Sequence, residues 1–318
     1  MRWLQRMMAA AILSALTVAS TVGASFGQTP DKVVRIGYQK YGKLVLLKGK
    51  GSLEEKLKAI GYKLAWTEFP SGPPLLEALN VGAIDFGNTG EAPPIFAQAA
   101  GAPLQYVAYE PPAPKGEAIL VAKDSALKSV ADLKGKKVAL NKGSNVHYLL
   151  VKALEKAGVK YSEIDPVFLA PADARAAFER GAVDAWVIWD PFQAAAEAAT
   201  GARTLADGEG IVANYQFYFS SKKFLQSDPK VVDLVLAELS AVDDWAKSDI
   251  HAVAEQIAPT IGLSVPVVEA ALKRQSYGIK PINDAVIADQ QKVADTFHAL
   301  GLLPKSITVS DAQRKPGS

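Results

Sequence analysis

The amino-acid sequence predicts an α/β protein with two similar lobes. Short apolar segments of strand length alternate with helical segments along most of the chain, and this alternation is typical of a mainly parallel sheet covered on both faces. A proline-rich segment at 110–116 interrupts the alternation. A helix–turn–strand pattern around Gly82, with the sequence Gly-Ala-Ile-Asp, returns around Gly181 as Gly-Ala-Val-Asp. We therefore expect two α/β units joined near residue 113.

The first α/β series occupies residues 33–109. We expect strands at 33–38, 64–69, 85–88 and 105–109, and helices at 53–60, 75–81 and 95–100. Gly61, Gly82 and Gly101 directly follow these helices, at the position where a left-handed backbone favours glycine. The series is therefore consistent with strands that are connected by short helices.

The second series follows a stiff connection. Three prolines between 111 and 114 favour an extended backbone with few donors, so we expect the first crossing between lobes there. Strands are predicted at 118–122, 137–140, 167–169 and 185–188, helices at 148–157 and 172–180, and the return crossing at 215–219. After Asp228 the pattern is helical at 231–246, 252–261, 265–274 and 285–300. Lobe 1 is thus predicted to comprise 31–113 and 221–310, and lobe 2 to comprise 114–220. The polar end, 311–318, is expected to be disordered.

The N-terminal residues have the pattern of an export signal. Arg2 and Arg6 precede an uncharged stretch at 7–22, and the small residues Gly23 and Ala24 follow it. This arrangement predicts a cleavable signal peptide at 1–27. An uncleaved anchor is the alternative, but the apolar run is shorter than the roughly 20 residues that a membrane span requires.

Charge and cysteine content exclude several functions for the chain after residue 27. The signal segment carries two of the 35 basic residues and none of the 33 acidic ones. The remaining charge is close to zero, which argues against electrostatic binding to nucleic acid or anionic lipid. The absence of cysteine excludes a disulfide framework, thiol catalysis and cysteine zinc sites. It also removes the cysteine that a lipid-anchored exported protein would carry.

Four segments stand where strands lead into helices, which is where ligands bind in open parallel sheets. We call them the site segments, and they comprise residues 39–42, 88–91, 142–145 and 189–192. Two come from each predicted lobe. This distribution predicts a ligand held in a cleft between the lobes.

The side chains of the site segments favour a small anion. Thr89 and Gly90, and likewise Ser144 and Asn145, stand at predicted helix starts, where free N–H groups and the helix dipole attract negative charge. Gln39 adds an amide donor. The alternative is that Thr89, Ser144 and Asn145 are ordinary helix caps, but the meeting of four such segments at one cleft favours a ligand site.

The charges near these segments favour a monoanion. No site segment contains arginine, although sites for phosphate, which carries about −1.5 to −2 charges, commonly include Arg or Lys. Lys40 and Lys142 are expected to point to solvent. Glu91 and Asp190 either complement helix N-termini, repel a second negative charge or bind a ligand amine. A sulfonate fits this pattern better than a phosphate does.

Aromatic residues offer an apolar wall for a ligand tail. Trp186 lies within a predicted strand and is expected in the core, whereas Trp189 ends that strand and is expected to face the cleft. Phe217 alternates with Tyr215 and Phe219 along the return strand. One face of that strand could reach the cleft, and ordinary core packing is the equally plausible alternative.

Longer motifs resemble one known family. They are GYQK at 37–40, FPSGPP at 69–74, LEALNVGAID at 76–85, PPIFAQAAG at 93–101, DLKG at 132–135, KGS at 142–144, PADARAAF at 171–178 and VDAWVIWDPF at 183–192. In combination these motifs resemble the aliphatic sulfonate-binding proteins of ABC importers, and the resemblance extends over residues 33–305.

The resemblance implies a type II periplasmic binding protein fold, which closes on its ligand and docks on a membrane permease. It implies that the ligand lies at or near Gln39, Thr89, Gly90, Ser144, Asn145, Trp189 and Asp190. It further implies a periplasmic monomer without a cofactor. The class is also similar to binders of taurine, nitrate and thiamine precursors, so taurine, a sulfate ester or another small organic anion remains an alternative ligand.

An enzyme similar to the thiamine-pyrimidine synthases of this fold is the alternative from another class. The chain offers only His147, His251 and His298 and no cysteine. His147 follows Ser144 closely, but the chain lacks the Gly-x-Ser-x-Gly turn that would expose a serine nucleophile. We interpret His147 as a structural residue or a ligand contact, and the other two histidines as surface residues. The sequence shows no metal-binding pattern, and we expect neither catalysis nor a metal.

Overall fold

The computed structural model describes residues 32–314. The predicted signal peptide at 1–27 and the last four residues of the tail lie outside the described residues.

The described chain forms eleven strands and twelve helices. In chain order the strands are β1 (Lys32–Tyr38), β2 (Tyr62–Glu68), β3 (Phe86–Gly90), β4 (Leu104–Glu110), β5 (Glu117–Val121), β6 (Lys137–Leu140), β7 (Asp165–Phe168), β8 (Ala185–Trp189), β9 (Arg203–Asp207), β10 (Gln216–Ser221) and β11 (Lys280–Pro281). The helices are α1 (Lys43–Lys50), α2 (Ser52–Ala59), α3 (Gly72–Asn80), α4 (Pro93–Ala99), α5 (Asn145–Lys156), α6 (Pro171–Glu179), α7 (Phe192–Thr200), α8 (Lys222–Ser227), α9 (Pro229–Ser248), α10 (Ile250–Ile261), α11 (Val265–Arg274) and α12 (Asp284–Ala299). Within residues 32–314 no helix has the length and apolarity of a membrane span.

The strands form two sheets with the same plan. The first has the order β11-β4-β10-β3-β1-β2 and the second the order β7-β6-β8-β5-β9. In each sheet three strands run parallel, and a fourth, β10 or β5, lies antiparallel beside them. A fifth strand, β4 or β9, pairs antiparallel with the fourth. From here on, lobe 1 means residues 32–110 and 216–314, and lobe 2 means residues 117–207.

The repeated sequence pattern forms the same local structure in both lobes. Gly82 and Gly181 both adopt positive φ, at 72° and 68°. Asp85 follows the first turn, and its carboxylate accepts a hydrogen bond from the backbone N–H of Arg35 at 2.9 Å. Asp184 accepts the equivalent bond from Lys137 at 2.8 Å. In each lobe the aspartate therefore joins the third parallel strand to the first, which explains why the pattern needs an acid at that place.

The chain passes between the sheets twice, at 111–116 and 208–215. The first passage agrees with the expectation from the proline-rich segment. The second was expected at 215–219, and this expectation is wrong, because β10 already belongs to the first sheet from Gln216. The boundary expected at 220/221 is therefore too late. The reason is that Phe217 and Phe219 pack into one core of lobe 1 while Tyr218 packs into the other, as alternating side chains of an internal strand do.

Both faces of the first sheet are covered. One core lies beneath α1, α9 and α10, and the other lies beneath α3, α4 and α12, while a third surrounds the second sheet. The end of the chain contributes to the second of these cores through Val309 and Ala312, which are buried. Arg314 donates its backbone N–H to Tyr106 at 3.1 Å. The expected disorder of the tail is thus wrong for 311–314, where two small apolar side chains hold the backbone in place.

A buried lysine lies beside the first passage between the lobes. Lys43 opens α1 and has no solvent exposure. Its Nζ lies 2.9 Å from a carboxylate oxygen of Glu110 and 3.4 Å from one of Asp243, and it also donates to Gln275 and to the backbone oxygen of Ser276 at 2.9 Å. Glu110 ends β4, so this ionic cluster fixes the point where the chain leaves lobe 1. The sequence analysis did not predict α1.

Candidate functional site

The four site segments lie together at the meeting of the two lobes, and Pro191 of the fourth lines the same cavity as Tyr41 and Gly42 of the first. Gln39 donates its side-chain amide to the backbone oxygen of Asn88 at 3.1 Å, which joins the first segment to the second. A Cβ atom placed on Gly90 would lie 2.9 Å from Cβ of Asn145. This close approach joins the second segment, in lobe 1, to the third, in lobe 2. The predicted cleft is therefore closed at this point in the structure.

Lobe 1 contributes buried amide and hydroxyl groups at the end of β3. Thr89 is fully buried and donates its hydroxyl to the backbone oxygen of Gly90 at 2.9 Å, so it does not cap a helix. Asn88 has an exposure of 1%, and both polar atoms of its side chain lack a partner among the described residues. A buried amide without partners costs several kcal/mol, so Asn88 offers a donor and an acceptor to a ligand or water. The sequence placed Asn88 in a site segment but gave no reason to select it.

Lobe 2 contributes the start of α5. Ser144 precedes the helix, but its hydroxyl donates to the backbone oxygen of Asn141 at 2.7 Å and makes no capping bond. Asn145 donates its amide to Glu117 and, at 3.3 Å, to Asn214. The helix-cap alternative is therefore wrong for these two side chains. The N–H groups of Asn145 and Val146 open the helix, where no intrahelical acceptor is available.

His147 has a structural role in this arrangement. It is fully buried, its Nδ1 accepts the backbone N–H of Gly143 at 3.2 Å, and its Nε2 lies 2.9 Å from the hydroxyl of Tyr161. Burial, together with the charge of Lys142, lowers the pKa of His147 to about 4. The neutral imidazole, with both nitrogens hydrogen-bonded, stabilises the turn before α5. Its bond to Gly143 means that the Gly143 N–H, in a segment where free N–H groups were expected, is not free to bind a ligand.

Two buried carboxyl groups border the contact between the lobes. Glu91 accepts the backbone N–H of Tyr215 at 3.1 Å, and burial raises its pKa to about 7. Burial also raises the pKa of Glu117 well above its usual range, and the nearby charge of Glu91 adds to this effect. One oxygen of each carboxyl has no partner among the described residues. Glu91 was a predicted site residue, whereas Glu117 was not, because the first residue of a strand carries no signal of a site.

Asp190 is paired with a residue that the sequence analysis missed. It is fully buried, accepts the backbone N–H of Ala194 at 3.1 Å, and lies 3.3 Å from the guanidinium of Arg274. Burial raises its pKa to about 7 although the charge of Arg274 opposes this shift. The expected role of Asp190 at a helix N-terminus is thus present. Its expected action on a ligand charge is weakened by the arginine, which is 84 residues away in sequence.

The aromatic residues lie mostly in cores. Trp186 has no exposure, as expected, but Trp189 is also buried in the core of lobe 2, with its ring centroid 6.2 Å from that of Phe192. Phe217 packs against Tyr106 at 5.1 Å. Phe217 therefore packs in the core and does not reach the cleft, because its face of β10 points into the core of lobe 1. An apolar wall formed by Trp189 is not evident, since the ring packs within its own lobe.

The remaining charged candidates make contacts of their own. The expectation that Lys40 points to solvent is wrong, because it is half-buried with its Nζ 3.4 Å from the backbone oxygen of Ile261. Lys142 is exposed, as expected, with its Nζ 5.3 Å from the ring centroid of Phe168. His251 and His298 are exposed, as expected. Between residues 32 and 314 no group of three His, Cys, Asp or Glu side chains is arranged to hold a metal ion.

Two α/β lobes, two connections between them and a buried polar zone at the carboxyl ends of their strands define a bilobal solute-binding protein. The NMT1/THI5-like family matches residues 68–248. An Escherichia coli K12 relative, by name an aliphatic sulfonates-binding protein, is 46% identical over 299 residues, which are 93% of each chain. The chain belongs to the family of aliphatic sulfonate-binding proteins.

Solved structures agree with this assignment. The alkanesulfonate-binding protein SsuA from Xanthomonas axonopodis pv. citri bound to MOPS is 45% identical, with a TM-score of 0.85 over 89% of this chain and 98% of that one. The periplasmic aliphatic sulphonate binding protein SsuA from Escherichia coli is 46% identical, with a TM-score of 0.82 over 90% and 93%. The expected fold is confirmed. These relatives are binding proteins by name and not enzymes, which agrees with the sequence-based expectation.

Proposed function

We propose that this chain captures an aliphatic sulfonate between its lobes in the periplasm and delivers it to the permease of an ABC importer. The protein would act as a monomer without a cofactor. The single observation that carries this proposal is the meeting of four strand-end segments, two from each sheet, around buried amide and hydroxyl groups.

The buried groups suit the chemistry of a sulfonate head. A sulfonate carries one negative charge on three oxygens that only accept hydrogen bonds. From lobe 1, Asn88 offers an amide without a partner and Gln39 the second hydrogen of its amide. Lobe 2 offers the first N–H groups of α5, together with the Ser144 hydroxyl once it turns from Asn141 to the ligand. Donors from both lobes favour closure, because only the closed state makes all of the contacts. The SsuA relative that is bound to MOPS holds a molecule with a sulfonate group.

The charges around the zone favour a monoanion over a dianion. Lys40 and Lys142 do not turn toward it, and Arg274 lies between Asp190 and Glu197. No cation of these three is therefore left to balance a second negative charge.

An aminosulfonate such as taurine is the second candidate ligand. Glu91 and Glu117 each keep one buried oxygen without a partner among the described residues. An ammonium group on the ligand would supply hydrogen bonds and a positive charge to both. This arrangement favours taurine over a sulfate ester or another small anion without an amine.

Export to the periplasm is part of the proposal. The N-terminal sequence has the charge and hydrophobic pattern of a cleavable signal peptide. The Escherichia coli SsuA is named as periplasmic. Mass spectrometry of the protein secreted to the periplasm would show an N-terminus near residue 28 if the peptide is removed, and an intact Met1 would contradict this part.

Isothermal titration calorimetry tests the ligand. The protein without residues 1–27 is unfolded and refolded to remove bound ligand, in a buffer free of sulfonates. Ethanesulfonate, octanesulfonate, taurine, sulfate, phosphate and nitrate are titrated in turn. We expect saturable one-to-one binding of the alkylsulfonates and none of phosphate. Binding of taurine alone would select the second candidate, and absence of binding by every sulfonate would refute the proposal.

A further inference from the structure

Arg274 extends from lobe 1 to acidic groups of lobe 2. It is the last residue of α11, and its Nη2 lies 2.5 Å from a carboxylate oxygen of Glu197 on α7. Its Nη1 lies 3.3 Å and 3.4 Å from the two carboxylate oxygens of Asp190. One guanidinium thus connects two acids of the opposite lobe. A planar group with several fixed donors suits such a double contact better than an ammonium does.

The two acids belong to the structure that follows β8. Asp190 lies in the fourth site segment, directly after Trp189, and has no exposure. Glu197 lies two turns further along α7, is partly exposed, and also accepts a hydrogen bond from the side chain of Gln193 at 3.3 Å. Arg274 therefore contacts the start and the middle of the element that carries the site segment. A fully buried carboxylate without this partner would be strongly disfavoured.

The end of α11 is also fixed to the connection between the lobes. Gln275 and Ser276 follow Arg274 directly, and both accept hydrogen bonds from the buried ammonium of Lys43. The hydroxyl of Ser276 donates to the backbone oxygen of Pro111, the first residue of the passage between the lobes. Arg274 is thus held at a fixed place beside the hinge, and its reach into lobe 2 depends on how the two lobes are oriented.

We propose that Arg274 is a positioning residue that couples the closed orientation of the lobes to the placement of the fourth site segment. When the lobes are closed, the guanidinium neutralises Asp190 and holds α7 against α11. When they open about the passages at 111–116 and 208–215, the ionic contacts lengthen and the segment loses its support. This inference rests on the proposed function, because binding of the ligand is what stabilises the closed state.

Binding measurements give the first test. Arg274→Gln keeps polarity but removes the charge, and we expect roughly tenfold weaker binding of ethanesulfonate, mostly through faster dissociation, as a coupling of this kind typically provides. Arg274→Lys should restore only part of the affinity, since an ammonium cannot bridge both acids. Lys273→Gln is the matched control, because Lys273 is exposed and pairs at 3.4 Å with Glu269 on its own helix.

A double-mutant cycle isolates the contact between the lobes. Glu197→Gln alone should weaken binding, and the combination with Arg274→Gln should cost less than the sum of both changes. Glu197 is the safer variant for folding because it is less buried than Asp190. Thermal unfolding of every variant identifies any that fails to fold. If Arg274→Gln does not fold, the affinity of Glu197→Gln decides whether the contact between the lobes supports binding.

Distances between the lobes give a readout that does not need a ligand. The chain has no cysteine, so spin labels at Ala59→Cys in lobe 1 and Ala126→Cys in lobe 2, both at exposed positions, report the lobe orientation. In Arg274→Gln we expect a broader distribution of label distances than in the parent protein. Failure of the parent to bind any sulfonate would refute the proposed function, and the label distances would then decide the inference alone. Unchanged affinity together with unchanged distances in Arg274→Gln would overturn the role of Arg274.

Discussion

Replacement of Lys43 by methionine tests whether the buried ionic cluster holds the exit from lobe 1. The ammonium of Lys43 makes its contacts with two carboxylates and two oxygen acceptors, and it has no access to solvent. Methionine has a similar length but neither charge nor donors. The variant leaves Glu110 and Asp243 buried, with side-chain exposures of 3% and 2%, and without their cation.

The size of the effect follows from the distances. At 2.9 Å and 3.4 Å, with an effective dielectric constant of about 20, each ion pair is worth about 5 to 6 kcal/mol before desolvation is subtracted. Measured losses for removing one partner of a buried pair are about 3–5 kcal/mol. We adopt this lower range, because the Coulomb energy is offset by the desolvation of the buried charges. For a protein of this size the loss corresponds to a decrease in Tm of roughly 6–20 °C.

Urea unfolding followed by circular dichroism measures the loss, with Lys58→Met on the exposed face of α2 as the control. Adding Glu110→Gln and Asp243→Asn to Lys43→Met should recover more than half of the loss. A Lys43→Met protein within about 0.5 kcal/mol of the parent, where surface substitutions fall, would refute the reasoning.

Three further predictions concern the contact zone. Gly90→Ala would place a methyl group 2.9 Å from Asn145 and should weaken ethanesulfonate binding at least about tenfold in calorimetry. The control Gly49→Ala, whose methyl group would have its nearest neighbour at 3.6 Å, should bind normally. Equal affinities of the two variants would contradict the close approach. Because burial raises the pKa of Glu91 to about 7, its native state binds a proton that the unfolded state releases, so stability should fall as the pH rises from about 4.5 to 7, by up to about 3 kcal/mol from this group. Glu91→Gln should flatten the urea-unfolding profile across that range, and an unchanged slope would exclude the titration of Glu91. Ser144→Ala should weaken binding about fivefold to tenfold, since the hydroxyl that would turn from Asn141 to the sulfonate is lost. The lost bond to Asn141 should lower Tm by only about 2–4 °C, and normal binding would remove Ser144 from the site.

The sequence predicted the plan of the fold because that plan depends on local patterns. The Gly-Ala-β-branched-Asp pattern fixes a turn and a strand within a few residues, and it appears in both lobes with the same aspartate contact. The position of β10 was harder to predict. Its alternating aromatic residues fit either a strand that borders a cleft or one between two cores, and only the pairing with β3 and β4 distinguishes these cases.

The site segments were predictable as a group, but their internal contacts were not. Strand ends of parallel sheets meet by topology, which brings Gln39 and Asn145 to the same zone. Which partner each side chain selects depends on residues that are distant in sequence. Arg274 reaches Asp190 from a helix that contains no site segment, and Glu117 meets Asn145 because a strand begins there. Neither relation leaves a pattern in a single sequence.

The strands that follow the two passages, β5 and β10, both lie in the interior of their sheets. Their backbone groups are bonded to neighbours on both sides, so neither strand can peel away when the lobes move. A change in lobe orientation must then occur in the short passages, and each sheet should move as a rigid body. In hydrogen–deuterium exchange the amides of β5 and β10 should be among the slowest in the protein, although each strand begins directly after a passage.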